Sequence, residues 1–239
     1  MTGVEDRLRA VLRHGISGIA KRVVIGLNWT YVEGPVGAGL VHTPVRGTEG
    51  CRSLPESGSY QGRTLADLAA LMESDNIFER VLGYAAANAH HNRYDLEGVA
   101  VNGLDMIKPC GQHTVVIGRF PELDEKLPGA AVIEREPRPG DYPPEAAADL
   151  IPAAKYLAIT ASALSNGSLA GLLALAPASA FTVLVGPSAP LCPALLALGI
   201  NALSGLIPTD LDGTAQRVAE GGSVRALKPL GRYVTLVPD

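Results

Sequence analysis

Cysteine is scarce in this chain of 239 residues: there are three, Cys51, Cys110 and Cys192, and no two form a CxxC pair. A scattered, odd set excludes a disulfide framework and a preformed cysteine–zinc site, and it points to a reducing compartment. Charge is also sparse. Only 18% of residues are ionised side chains, and a net charge of -4 gives no general attraction for nucleic acid or an anionic membrane surface. No apolar run reaches the roughly 18 residues of a spanning helix. The opening MTGVEDRLRAVLRHG mixes both charge signs, so it reads as an amphipathic helix capped by Thr2 with Glu5 and not as a signal peptide. A soluble cytoplasmic protein is expected, with a small-molecule ligand, no nucleic acid and no membrane as partners; a homo-oligomer is left open.

Nucleotide signatures are missing as well. The first strand of the C-terminal half ends in VIGRFPEL, where a dinucleotide fold would carry G-x-G-x-x-G to let the backbone approach a pyrophosphate. Neither a P-loop nor a G-x-S-x-G nucleophile elbow occurs. A classical NAD dehydrogenase and a P-loop NTPase are therefore set aside.

What is present is apolar substance, 47% of residues, enough for a sizeable core. Residues 1–95 read as a small α+β unit. RVVIGLNWTYVEG and GAGLVHTP suggest an antiparallel hairpin, Thr64 caps a helix, and Asp75 caps a longer one ending near Asn92. Residues 96–112 are irregular and read as a linker. Residues 113–239 alternate strand and helix: HTVVIG, AAVIERE, YLAIT, FTVLVG and NALSGLIP, with RYVTLVP as a sixth candidate strand. Strands without polar alternation are buried on both faces, which predicts a mostly parallel α/β sheet of Rossmann-like type.

Two junctions in that half, YLAIT-ASALSNGS-LAGLLALA and FTVLVG-PSAPLC-PALLALG, place polar loops at the carboxyl ends of parallel strands, with apolar helical patterns behind them. Ligands of open α/β sheets bind there. Ser162, Ser165, Asn166 and Ser168 exceed what one helix cap needs, so part of the set is available to a small polar ligand. Gly186, Pro187 and Ser188 form a stiff loop in the parallel position. Glu134 and Glu136 end the second strand near Arg119, Arg138 and Asp141, where an acid can hold a ribose or a hard cation. In the small unit, Asn28, Trp29 and Thr30 interrupt an apolar strand, although a lone Trp is more often a core anchor. His42 and Thr43 would lie across the hairpin from them. His42 is the preferred histidine for acid–base or metal work. His90 and His91 sit at a helix end and read as structural, and Cys192 as an inert buried thiol. Asn88, on the apolar stripe of its helix, needs partners from a ligand or from the hairpin.

GLNWTYVEG with GLVHTP, LGYAAANAHHN, VVIGRFPEL, VIEREPRPGDYP, AITASALSNGSLAGLL and LVGPSAPLCPALLALGINALSGLIPTD together resemble the bacterial and archaeal heavy-metal chelation family. The resemblance runs from about residue 20 to 222. It implies an enolase-N-terminal-like domain joined to a Rossmann-like domain, with the working site at their junction. Where the family more usually has Thr, this chain has Ala189, one hydroxyl fewer in that site.

No H-x-H, H-E-x-x-H, CxxC or carboxylate cluster marks a metal site within one segment. A divalent metal ion would need ligands from both halves, with His42, Glu134 and Cys192 as candidates, or would arrive already chelated. The combined expectation is a cleft between the halves that binds a small polar or metal-chelating molecule, in an enzyme of small-molecule or metallophore metabolism. His42, Asn166 and Ser188 are its catalytic candidates. Asn28, Trp29, Thr30, Thr43, Arg119, Glu134, Thr160, Ser162, Gly186 and Pro187 would contact the ligand. The alternative is a non-catalytic heavy-metal or metallophore binder.

Overall fold

The computed structural model describes residues 3–44 and 54–238. In chain order the elements are α1 (Val4–Arg13), β1 (Arg22–Ile25), β2 (Trp29–Glu33), β3 (Ala38–His42), α2 (Leu65–Ala70), α3 (Ile77–His91), β4 (Thr114–Ile117), α4 (Leu123–Lys126), β5 (Ala131–Ile133) and α5 (Ala147–Leu150). They continue with β6 (Tyr156–Thr160), α6 (Ser162–Ser165), α7 (Leu169–Leu175), β7 (Phe181–Val185), β8 (Ala202–Pro208), α8 (Leu211–Ala219), α9 (Val224–Leu227) and β9 (Gly231–Leu236). They build two sheets: an antiparallel β1-β2-β3, and a six-stranded β5-β4-β6-β7-β8-β9 that is parallel except for its last strand. The α/β class with a Rossmann-like, mostly parallel sheet is as expected.

Alternation along the parallel strands divides the core between two faces. Val115, Leu157, Ile159 and Leu184 point into one cluster with α1, α2 and α3. Val116, Ala158, Val183 and Val185 point into the other, with Leu104, Ile107, Leu123 and Leu127. The segment 96–112 is therefore not a free tether. Leu104 and Ile107 are buried, and Val99 and Thr235 exchange two backbone hydrogen bonds of 2.9 Å along β9.

The small sheet is buried on both sides. Val32 and Val41 face α2 and α3, while Trp29, Tyr31 and Leu40 share a cluster with Leu206, Ala215, Val218 and Leu227. One of its faces is thus closed by residues from the far end of the chain. Contact is close enough that a Cβ on Gly39 would fall 2.0 Å from the Ala85 carbonyl oxygen of α3.

Several local expectations are corrected. RVVIGLNWTYVEG holds two strands, not one, because the Gly26 N–H donates to the Trp29 carbonyl at 2.9 Å and turns the chain, giving a three-stranded meander. That turn packs against α8, where a Cβ on residue 26 would lie 2.0 Å from the Val218 oxygen. Asn76, not Asp75, caps α3, accepting from the Phe78 N–H at 3.0 Å. Thr64 caps α2 as expected, accepting from Asp67. Thr2 lies outside the described residues, and α1 starts with the Gly3 N–H donating to Asp6 Oδ2 at 3.1 Å. PALLALG is a 3-10 stretch, Pro193–Leu198, ended by the left-handed Gly199.

Candidate functional site

The strand order places the first strand of the parallel sheet, β4, between β5 and β6, so the chain leaves β4 toward one side and later resumes on the other. At such a switch point the connecting loops diverge and leave a crevice above the carboxyl ends. An open cleft of about 1500 Å3 lies at this edge, larger than most small-ligand pockets. Its floor is the adjoining carboxyl ends of β4 and β6. Gly118 has φ of +87°, and a Cβ there would meet Thr160 Cγ2 at 2.8 Å, so glycine is needed both for the turn and for the approach of the two strand ends.

The two sheets contribute facing walls. From the parallel sheet come Arg119, Glu134, Thr160, Ser162, Asn166, Gly186, Pro187 and Ser188; from the small sheet and its turn come Asn28, Trp29 and His42. The structure does not bring Thr30, Thr43 or Cys192 to this cleft. The hydroxyls of Thr30 and Thr43 hydrogen-bond each other at 2.9 Å across the hairpin and are buried. Cross-strand register and burial turn this pair away from the ligand side. Cys192 is 4% exposed, and burial pushes its thiol pKa up, disfavouring the thiolate that a metal would need. Ala189 is fully buried beside α3, so the side chain at that position does not face the cleft.

The loop after β7 is welded to the small unit. Ser188 Oγ accepts from the His42 backbone N–H at 3.0 Å, and the Ser188 carbonyl accepts from Asn88 Nδ2 at 3.0 Å. Asn88 Nδ2 also donates to the Leu40 carbonyl at 3.1 Å. One helical turn on, Asn92 donates to the Ala189 carbonyl at 3.0 Å and accepts from the Leu191 N–H at 2.8 Å. Spaced four apart, the two amides lie on one face of the α3 end and read the loop like a short strand. Of the two kinds of partner expected for Asn88, the hairpin and the adjoining loop supply them.

In the loop after β6 the side-chain hydrogen bonds among the described residues stay within the loop. Asn166 Oδ1 accepts from the Ser168 N–H at 2.9 Å and its hydroxyl at 2.7 Å, and Ser165 Oγ donates to the Ser162 carbonyl at 3.1 Å. No side chain caps α6 or α7, and α6 is four residues long, so the helix-dipole part of the anion argument falls away here.

His42 stacks edge-on against Trp29, with ring centroids 5.7 Å apart and planes at 88°. The imidazole is exposed on the cleft side, yet partial burial still lowers its pKa, so the neutral form with one acceptor nitrogen dominates at pH 7. Trp29 itself is 7% exposed and anchors the shared core, showing only an edge to the cleft. Asn28 donates to the Gly221 carbonyl at 2.7 Å, which ties the β1–β2 turn to the end of α8.

At the other wall, Glu134 is held by backbone N–H groups: Oε2 by Arg119 at 2.9 Å and Oε1 by Arg135 at 2.7 Å. The Arg119 guanidinium lies 3.1 Å from Asp124 and 3.7 Å from the largely buried Asp141. Among the described residues no three His, Cys, Asp or Glu side chains converge on a point that could hold a metal ion. Among the described residues the donors therefore do not fit a resident transition-metal site of the zinc kind, which takes three or four protein ligands. Arg225 and Lys228 also line the cleft, from the segment between α8 and β9. Sequence reasoning passed over them; the signal was that this segment leads into a strand antiparallel to β8 and so returns to the carboxyl edge.

Comparison with known proteins matches residues 10–91 and residues 102–237 to two family models, both described as "Putative heavy-metal chelation". A crystal structure of a protein of unknown function from Desulfitobacterium hafniense superposes with a TM-score of 0.86 at 26% identity, covering 98% of each chain. A second protein of unknown function, from Pyrococcus horikoshii, has a TM-score of 0.79 at 20% identity, again over 98% of each chain, a likeness of fold. No curated protein matches the chain.

Proposed function

The chain belongs to the heavy-metal chelation family, and from that premise we propose that it binds a small, polar, metal-chelating molecule in the cleft between its two sheets, with the metal, where present, carried by that molecule. The observation that carries this reading is the pairing of a large composite cleft at the switch point with the lack, among the described residues, of three converging metal ligands. A chelate brings its own donors, so the protein needs only one or two further contacts. His42 supplies one, as a neutral imidazole able to complete a coordination sphere or to accept a proton from the ligand. Asn28 and the edge of Trp29 stand beside it, with Ser162, Asn166 and Gly186 opposite.

In the enzymatic form of this reading, His42 is the proton carrier of a metallophore-processing enzyme. The non-catalytic form, a binder, is favoured by one specific observation: Ser188 Oγ and Asn166 Oδ1, the acceptor oxygens of two catalytic candidates, are already engaged in structural hydrogen bonds. The two forms share a site and a ligand class.

The test is a thermal-shift series with bare Ni2+, Co2+ and Zn2+, and with the same ions presented as histidine or citrate complexes. A ligand that binds only the folded chain stabilises it by about 2.7 kcal/mol at a hundredfold excess over Kd. The expected result is a shift with complexes, lost in His42→Ala, and none with bare ions. Stoichiometric uptake of a bare ion by the wild type, abolished in His42→Ala, would replace this reading with a protein-only metal site.

A further inference from the structure

The chain as a whole is acidic, with 24 acidic against 20 basic side chains, yet the cleft has the opposite balance. Among the described residues six cations line it, Arg119, Lys126, Arg135, Arg138, Arg225 and Lys228, against three carboxylates, Glu122, Glu134 and Glu136. Glu134 is further offset by the two backbone N–H groups that hold it. Arg119 and Lys126 have acidic partners, whereas Arg135, Arg138, Arg225 and Lys228 have none within salt-bridge distance among the described residues. An excess of one sign inside a concave, low-dielectric wall focuses the field and selects the sign of the ligand.

The cations are also placed in two groups. Arg135 and Arg138 follow β5, at one edge of the sheet. Arg225 and Lys228 precede β9, whose first residue pairs with Pro208 at the carboxyl end of β8. β5 and β8 are separated by β4, β6 and β7, so at the ordinary spacing of neighbouring strands the two groups stand roughly 19 Å apart at their backbones. Long side chains from both groups can close part of that span.

We propose that the cleft ligand is a polyanion, a molecule with at least two carboxylate or phosphate groups, held between the cations after β5 and those before β9. This rests on the reading of the cleft as a ligand site and narrows its ligand class. Polycarboxylates are themselves oxygen-donor chelators of divalent metals, so charge recognition and metal carriage are met by one chemistry.

Titration calorimetry decides it, using citrate as the carboxylate probe, pyrophosphate as the phosphate probe and 2,2'-bipyridine as an uncharged chelator. The first two should bind, and whichever binds more tightly identifies the anionic group. The exposed pair Arg138→Gln/Arg225→Gln should weaken that Kd by about tenfold or more, the loss of charge-assisted hydrogen bonds. Arg7→Gln, an exposed cation remote from the cleft, should leave it unchanged. Raising salt should weaken anion binding. If bipyridine binds in the cleft (with binding lost in His42→Ala) and the anions do not, the polyanion is refuted and the cleft reading stands. If the anions bind but the double variant matches wild type, the two cation groups are refuted. If none of the probes, free or metal-loaded, binds at all, both readings fall.

Discussion

The loops after β6 and β7 stand side by side at the same sheet edge, are similarly rich in small polar residues, and do different work. The loop after β7 spends its polar atoms on the small sheet: Ser188 on His42, and Ser188, Ala189 and Leu191 on the amides of Asn88 and Asn92. The loop after β6 spends its own within Ser162–Ser168, and Ser162, Asn166 and Ser168 still border the cleft. Serine at the end of a parallel strand is therefore not one signal. Where the amides of α3 bond the loop it becomes a structural joint; where they do not, the segment stays available to a ligand.

Breaking the joint should cost most. Asn88→Ala leaves the buried Leu40 and Ser188 carbonyls without their donor, and should lower unfolding free energy by about 2–4 kcal/mol in a urea titration. Ser188→Ala removes only the acceptor of the His42 N–H and should cost about 1–2 kcal/mol. If Ser188→Ala is as stable as wild type but loses cleft binding, the distinction between the two loops fails.

A graded loss should follow from acid. His42, His90 and His91 all have pKa values lowered first by burial, and the last two lie on α3 beside the clamping amides. Because the folded values lie below the unfolded one, the unfolded chain binds more protons. The contribution to stability is complete above pH about 6.5 and is lost as pH falls from there through the folded values. The urea midpoint should decline over that window, and His91→Gln, which removes a ring bonded to the Leu12 carbonyl at 2.8 Å, should flatten the decline. The smallest effect on stability is expected for Asn166→Ala, within about 0.5 kcal/mol, as for other surface changes. Its effect on ligand affinity should be the larger one, which sharpens the contrast with Ser188.

The sheet of the C-terminal half was legible because parallel strands covered on both faces, such as YLAIT and FTVLVG, lose their polar alternation. The switch-point cleft follows from strand order, and so the strand-end loops could be placed before their geometry was known. Thr30 and Thr43 could not be, since the side to which a hairpin residue points depends on a one-residue register and on which face meets the other sheet. The need for glycine at position 26 was hidden as well, because the backbone that a side chain there would strike belongs to α8, nearly two hundred positions away. The cations Arg225 and Lys228 follow no motif, because a charge balance is a property of a surface assembled from distant segments.

The two amides of α3 have one more consequence. They stitch a strand near residue 40 to a loop near residue 190, although separate family models match the segments on either side. With Trp29, Tyr31 and Leu40 also sharing apolar cover with Leu206 and Val218, neither part can come undone while the other keeps its dry surface. Melting should be one cooperative event seen identically by every probe. The amide protons of His42 and Leu191, locked by the joint, should exchange with solvent water only as fast as the entire chain opens.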